Sequence, residues 1–373
     1  MRKEPTIKTI EGEGGSLRSL LRIVILISIL LAAGLYLDAS NEEQGEILVN
    51  NNSQEPEAIR DFNEDKSQNI SSNAGTPDKG LANLMGKSSQ QLKDRLGEPS
   101  RIDPSFFGYD WWIYNKSKTE YVQIGVNSNK VVTIFGTGED LDISPFKIGQ
   151  PVGEMYSSFF FETNINLKYK DSSYRFELSE EDLNTRPLVM MGDHYAQLNF
   201  DKFTGTLSSV RIMDAETLIK MRPYEMVYRG KLLEPPQPSP AFEEDVGRGK
   251  EQQILDITNV MRERHNLPPL KWDENTAAVA FAHSKDMYES NDFSHISKTF
   301  GELADRLEAG GVSYEAAGEN IAANYMDAPA VVEGWLNSKG HRDSMLSNEF
   351  THIGIGVYKE HYTQNFIRKL GEE

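Results

Sequence analysis

His352-Ile-Gly-Ile-Gly-Val-Tyr358 and, after a short turn, Tyr362-Thr-Gln-Asn-Phe-Ile367 decide the fold class. Their alternation reads as two strands joined by a turn. What precedes them reads as helix. Ile254, Leu255, Ile257, Val260 and Met261 mark a helix that must end before Pro268-Pro269. Asp273 can cap a second helix running to about Ser290, with Ala277, Ala280, Phe281, Ser284, Met287 and Tyr288 on its buried side. Gly301 to Ala309 is a short helix stopped by Gly310-Gly311, and Asp327 caps another with Pro329 in its first turn. Helices around a small sheet make residues 250–373 an α+β or three-layer unit.

Upstream, Pro235, Pro236, Pro238 and Pro240 mark 231–249 as an extended, semi-rigid linker. Between residues 81 and 230 two stretches look alike. Gly86, a helical stretch to Leu96-Gly97, Tyr109–Tyr114, Tyr121-Val-Gln123 and Val131–Ile134 match Gly149, a short helix, Tyr174–Leu178, Tyr195-Ala-Gln197 and Val210–Ile212. The pattern predicts a separate α+β domain built as a repeat of one helix plus a three-stranded meander. Phe106, Phe107, Tyr109, Trp111 and Trp112 read as strand-core packing, since Tyr109, Trp111 and Ile113 share a face. Gly80 to Gly86-Lys87-Ser88 is not a phosphate loop, because the glycine spacing is wrong and no strand precedes it.

The N-terminus carries an address. Residues 23–37 hold no charge and are extended backwards by Leu20 and Leu21 across Arg22. The length suits a membrane anchor or a signal segment. Leu37-Asp38-Ala39 is a poor cleavage site, which favours an uncleaved anchor through residues 20–37. A basic tail over 1–22 and an acidic stalk over 38–80 put the tail in the cytoplasm and the rest outside the cell; after cleavage the protein would be secreted. The chain carries 39 Lys+Arg against 57 Asp+Glu, a net charge of −18, which disfavours nucleic-acid partners. It has no cysteine, so disulfides, thiolate metal sites and thiol nucleophiles are excluded.

Six of the seven histidines lie in 250–373: His265, His283, His295, His341, His352 and His361. Imidazole is the side chain best suited to proton transfer and metal binding near neutral pH, so this clustering is the main functional signal. His283 reads as a core histidine, His265 and His352 as structural, and Trp335 as core. No Gly-x-Ser-x-Gly and no His-Glu-x-x-His motif is present.

These residues carry a resemblance. Leu267-Pro-Pro-Leu-Lys-Trp-Asp273, Ala282-His283-Ser-Lys-Asp-Met287, Phe293-Ser-His295, Gly318-Glu-Asn-Ile321, Trp335-Leu-Asn-Ser-Lys-Gly-His-Arg342 and His361-Tyr-Thr-Gln364 resemble, in order, the CAP superfamily of cysteine-rich secretory, antigen 5 and pathogenesis-related proteins. The Ser-Lys-Gly-His-Arg block is similar to the bacterial, cysteine-free branch. The middle domain looks like the region that precedes this module in some spore-forming bacteria. The resemblance implies an α-β-α sandwich with a cleft lined by two histidines and two acids. His295 and His361 match the histidines and Glu319 the first acid. Ser338 stands where the second acid belongs, and His341 and Arg342 are expected to line the cleft instead. The implied ligands are lipid, sterol, glycan or protein.

Two imidazoles and a carboxylate suit Zn²⁺, with His295 and His361 as ligands. The expected role is a non-catalytic module binding a ligand, metal or envelope component. The alternatives are an envelope hydrolase, peptidase-like or acting on the cell wall, with Glu319 or a histidine as general base, and a structural or signalling protein whose middle domain binds a partner.

Overall fold

A computed structural model describes residues 79–371. The tail, the anchor or signal segment and the stalk up to residue 78 lie outside the described residues. After a short 3-10 turn over Leu81–Leu84 come α1 (Ser89–Leu96), β1 (Arg101–Pro104), β2 (Asp110–Tyr114), β3 (Tyr121–Asn127) and β4 (Lys130–Thr137). The second half has α2 (Val152–Ser158), β5 (Asn164–Tyr169), β6 (Ser172–Glu177), α3 (Glu180–Thr185), β7 (Leu188–Met191), β8 (His194–Asp201), β9 (Thr206–Asp214), α4 (Ala215–Met221) and β10 (Glu225–Arg229).

The repeat is present, and its backbone hydrogen bonds correspond one to one. Gly86 N donates to Val131 O (2.9 Å) and Gly149 N to Leu207 O (2.8 Å). Val131 N returns to Lys87 O (2.9 Å) and Leu207 N to Gln150 O (2.9 Å). Each copy thus clips its helix to the last hairpin of its meander. The two meanders meet at β4 and β9, giving one antiparallel sheet ordered β1-β2-β3-β4-β9-β8-β7. One expected strand is misplaced in the sequence reading. The third strand of the second meander is β7; Tyr174–Glu177 pairs instead with β5 and β10 in a separate three-stranded sheet. There Tyr174 and Phe176 pack on Leu218 and Ile219 of α4, a partner that strand alternation alone does not reveal.

The proline run ends earlier than the linker expected over 231–249. The chain is free of helix only to Ser239, whose Oγ accepts from Phe242 N (3.3 Å), and α5 spans Pro240–Arg264. Proline at the first helical position has its φ already set and lacks only an N–H that would be unpaired anyway, so Pro240 starts a helix. The remaining elements are β11 (Lys271–Trp272), α6 (Glu274–Ser290), α7 (Leu303–Ala309), β12 (Tyr314–Ala323), α8 (Ala328–Leu336), α9 (Lys339–Met345), β13 (His352–Tyr358) and β14 (His361–Lys369). Asp273 caps α6 through Thr276 N (2.8 Å), and Asp327 caps α8 through Ala330 N (3.1 Å). The sheet runs β11-β13-β14-β12, so the two strands read from sequence are its centre.

Helices cover both faces of this sheet. A Cβ on Gly354 or Gly356 would lie 2.1 Å from Ala277 N or 1.9 Å from Phe281 N, so the glycines let α6 lie directly on the backbone of β13. On the other face Ile353, Ile355 and Val357 share a core with Ile254 and Ile257 of α5 and Trp335 of α8. That core continues into the N-terminal sheet through Trp111, Ile113, Tyr121 and Phe135. The aromatic strand face is therefore core, as its alternation suggests, but it is packed against the helices of the C-terminal module.

The joint is polar as well as apolar. Arg211 on β9 donates to Asp327 (2.8 Å), with side-chain exposures of 2% and 4%. Asp256 on α5 accepts from Arg101 (3.0 Å) and Asn115 (2.9 Å), and Asp103 accepts from Gln253 (2.9 Å). Ser208 and Ser209 both donate to Glu333 on α8. Burial pushes the Glu333 carboxyl up to about 7 against these hydrogen bonds. The folded state thus keeps a proton that an unfolded glutamate releases near pH 4.5. Stability contributed by Glu333 is complete below that range and falls as pH rises toward 7, by on the order of 3 kcal/mol. Urea titrations across pH 4.5–8 are expected to show a shallower decline for Glu333→Gln than for wild type. Glu251, also raised to about 7 by burial, acts in the same direction in both proteins, so the difference isolates Glu333. Parallel pH profiles would contradict the assignment.

Candidate functional site

Glu319 lies on the edge strand β12 with a side-chain exposure of 4%, so its charge needs partners. It has two strong ones. His295 Nδ1, in the loop between α6 and α7, donates to Oε1 (2.9 Å), and Arg306 Nη2 on α7 donates to Oε2 (2.6 Å). Burial alone would raise this carboxyl; the His295 hydrogen bond and the charges around it, Arg306 included, outweigh burial and hold it below the ordinary glutamate range. Arg306 also donates to His295 O (2.8 Å) and Gly301 O (2.9 Å), so one guanidinium fixes both the carboxylate and the loop carrying His295. The imidazole is 34% exposed. With Nδ1–H bound to the carboxylate, Nε2 is the nitrogen left for a ligand.

Two more imidazoles stand close by. His283 Nε2 on α6 lies 3.8 Å from Glu319 Oε1, and neither ring nitrogen has a hydrogen-bond partner. Burial, against the attraction of Glu319, lowers His283 to about 4. His341 on α9 hydrogen-bonds Ser338 Oγ through Nδ1 (2.8 Å), leaving Nε2 buried and unpaired. Burial and the nearby His295 lower it to about 4 as well. Asn365, paired across the strands with Glu319, has both amide atoms buried without partners. Buried polar atoms are normally satisfied, so this concentration of unpaired ones marks a place organised for something other than stability.

The sequence-predicted residues separate into groups. The structure brings His295 and Glu319 into contact and sets Ser338 with His341 nearby. Ser338 is 1% exposed and serves His341 rather than replacing an acid. His361 heads β14 opposite Ala323, whereas Glu319 pairs with Asn365 four residues along, about 13 Å by strand rise. Its ring meets Tyr288 (5.6 Å) and Phe293 (6.3 Å). Arg342 is turned away from these residues. It donates to Leu336 O (3.1 Å) and His265 Nε2 (3.0 Å) and pairs with Asp201 of β8 (3.0 Å), so it ties α8 and α9 to the N-terminal sheet. His265 is structural through this contact, and Trp335 is fully buried, with Nε1 donating to Ile321 O (3.1 Å). Sequence reasoning missed Arg306 and undervalued His283. A helical arginine looks the same whether it faces water or a carboxylate thirteen residues away, and His283 sits among apolar neighbours of its helix.

A Zn²⁺ ion on His295, Glu319 and His361 does not fit this arrangement. Both Glu319 oxygens are taken, one by a guanidinium whose charge opposes a cation, and among the described residues no three His, Asp or Glu side chains converge as ligands. Calorimetric titration with Zn²⁺ is expected to give the same weak heats for wild type and for the His295→Ala/His361→Ala pair. A stoichiometric site lost in the pair would contradict this.

Residues 255–367 match the model of the cysteine-rich secretory protein family, CAP, and residues 85–224 match the CAP-associated N-terminal model. The uncharacterized membrane protein YlbC of Bacillus subtilis is 54% identical over 293 residues, 79% of this chain and 85% of that protein. The chain belongs to the cysteine-rich secretory protein family. The uncharacterized protein YkwD of the same organism is 41% identical over 121 residues, 32% of this chain and 47% of that protein. Among solved structures, an extracellular protein containing a SCP domain from Bacillus anthracis superposes with a TM-score of 0.75 at 45% identity, covering 83% of this chain and 98% of that one. A cysteine-rich secretory protein from Staphylococcus aureus gives 0.74 at 25% identity, covering 87% and 99%. Both solved chains span the CAP module and the N-terminal sheet together.

Proposed function

We propose that this CAP protein is a non-catalytic recognition module held on the outer side of a membrane, and that the His295 cleft binds a polar component of the cell envelope. The observation that carries the reading is the locked His295–Glu319–Arg306 set, which presents one imidazole edge while unpaired polar atoms of His283, His341 and Asn365 stand behind it. A preset hydrogen-bonding edge binds a hydroxyl or amide-bearing ligand without first having to order itself. The membrane and extracellular descriptions of the Bacillus relatives, together with the uncharged stretch over 23–37, support the location. Among the described residues no helix is long and apolar enough to cross a membrane; the proposed anchor, residues 20–37, lies outside them.

One feature favours a second reading, envelope hydrolysis. A carboxylate that orients an imidazole is the base–orienter half of a hydrolytic triad. In that reading His295 is the base and Glu319, with both oxygens engaged, only orients it. Co-sedimentation of the full chain with isolated Bacillus cell walls separates the two. Retention is expected to fall about tenfold in His295→Ala, with no soluble wall fragments released by wild type. Equal retention of wild type and variant would remove the cleft from binding. Fragment release lost in His295→Ala would establish the hydrolase.

A further inference from the structure

A second group of unpaired polar atoms lies away from the cleft, in a small cavity where the N-terminal sheet meets the CAP module. Ser105, Phe106, Phe107 and Trp111 line it from one side, and Lys250, Gln253, Met326 and Asp327 from the other. Four of these side chains are polar and almost wholly buried: Ser105 and Lys250 at 4% exposure, Gln253 at 1% and Asp327 at 3%. The hydrogen bonding of the last three is incomplete. Asp327 Oδ1 accepts from Arg211 (2.8 Å) and from Ala330 N at the α8 cap, while Oδ2 has no partner. Gln253 gives Nε2 to Asp103 (2.9 Å), while Oε1 has no partner. Lys250 Nζ donates to Tyr362 Oη (2.7 Å), which itself donates to Tyr325 O (2.7 Å). An ammonium has three protons to give, and the rings of Phe106 and Tyr362, each 5.1 Å from Nζ, supply only diffuse negative charge.

The joint is thus left with two acceptors lacking donors and one donor with protons to spare. A buried acceptor left without a donor loses its hydration with nothing in return. An anion is excluded by the two acceptors, and a cation by Lys250. The cavity lets the centre of a water molecule move over about 10 Å³, at the lower limit for holding one water, which also needs two to four polar partners. We propose that one ordered water molecule occupies this cavity, donating to Asp327 Oδ2 and Gln253 Oε1 and accepting from Lys250 Nζ, and that it is a built-in part of the joint between the N-terminal sheet and the CAP module. One water meets all three deficits. It joins α5, which carries Lys250 and Gln253, to the N-terminus of α8 at Asp327, next to the ion pair with the sheet.

Crystals of the full chain in detergent, diffracting well enough to show ordered solvent, test this directly. The expected result is one spherical density peak within hydrogen-bonding distance of all three atoms. Lys250→Met, whose side chain fills the space without donating, is expected to lose the peak. Should that variant fail to fold, Gln253→Met is expected to leave the peak weaker and more mobile, because one of its three anchors is gone. A dry cavity, a larger bound molecule, or Lys250 Nζ moved into direct contact with the Asp327 carboxylate would each overturn the proposal.

Discussion

Arg211→Met is expected to destabilise the protein by about 3–5 kcal/mol, seen as a lower urea midpoint with unchanged slope. The arginine is 2% exposed and donates to an aspartate of 4% exposure, so its removal leaves a buried carboxylate without its direct ion-pair partner. Phe135 lies 5.9 Å under the guanidinium, and with both partners this buried, bulk solvent does not take the arginine's place. The companion Arg211→Met/Asp327→Leu removes both charges. It is expected to regain much of the loss, because exchanging a buried pair for apolar side chains is often near neutral. It should stay about 1 kcal/mol below wild type through loss of the α8 cap. A double variant no more stable than Arg211→Met would show that the ion pair is not what the arginine supplies.

Glu319→Leu has an expected effect of similar size, about 3–5 kcal/mol, because the Arg306 guanidinium is 4% exposed and loses its countercharge. Its two carbonyl contacts, His295 O and Gly301 O, remain, so the loss concentrates in the loop that presents His295. Hydrogen exchange over residues 294–302 is expected to quicken by more than in the rest of the chain. Acid titration gives the sign. The carboxyl sits below its ordinary range when folded, so its stabilisation is complete above pH 4.5 and is lost as pH falls through the lowered value. Glu319→Gln, which keeps the shape without the charge, is expected to flatten this acid limb. Uniform exchange across the chain in Glu319→Leu, or an unchanged acid limb in Glu319→Gln, would contradict the central place given to this carboxylate.

Much of the fold was legible because its signals are local. Asp273 and Asp327 announce helix starts by capping, the Gly86 and Gly149 copies show the repeat, and alternation marks β13 and β14. The edge strand β12 was not legible as a strand. Glu-Ala-Ala-Gly-Glu-Asn-Ile interrupts alternation, and only pairing with β14 makes it extended. Tyr174–Glu177 was assigned to the wrong sheet for the same reason. Strand partners lie far away in sequence, while alternation reports only that a face is buried. Residue type alone singles out His295 and Glu319, yet their contact depends on a loop closed by Arg306. The sequence shows nothing linking that arginine to either. Arg342 was misread because adjacency to His341 on a short helix sends neighbouring side chains to different faces. Its partner, Asp201, belongs to the other half of the chain.

Nitrogen-15 histidine spectra of the full chain, titrated with solubilised cell-wall fragments whose mass is followed in parallel, test the recognition role most directly. The His295 Nε2 resonance is expected to shift and saturate while the fragments stay intact, and Glu319→Gln to weaken the titration. A silent His295 resonance, or fragments cut by wild type and left whole by His295→Ala, would contradict it.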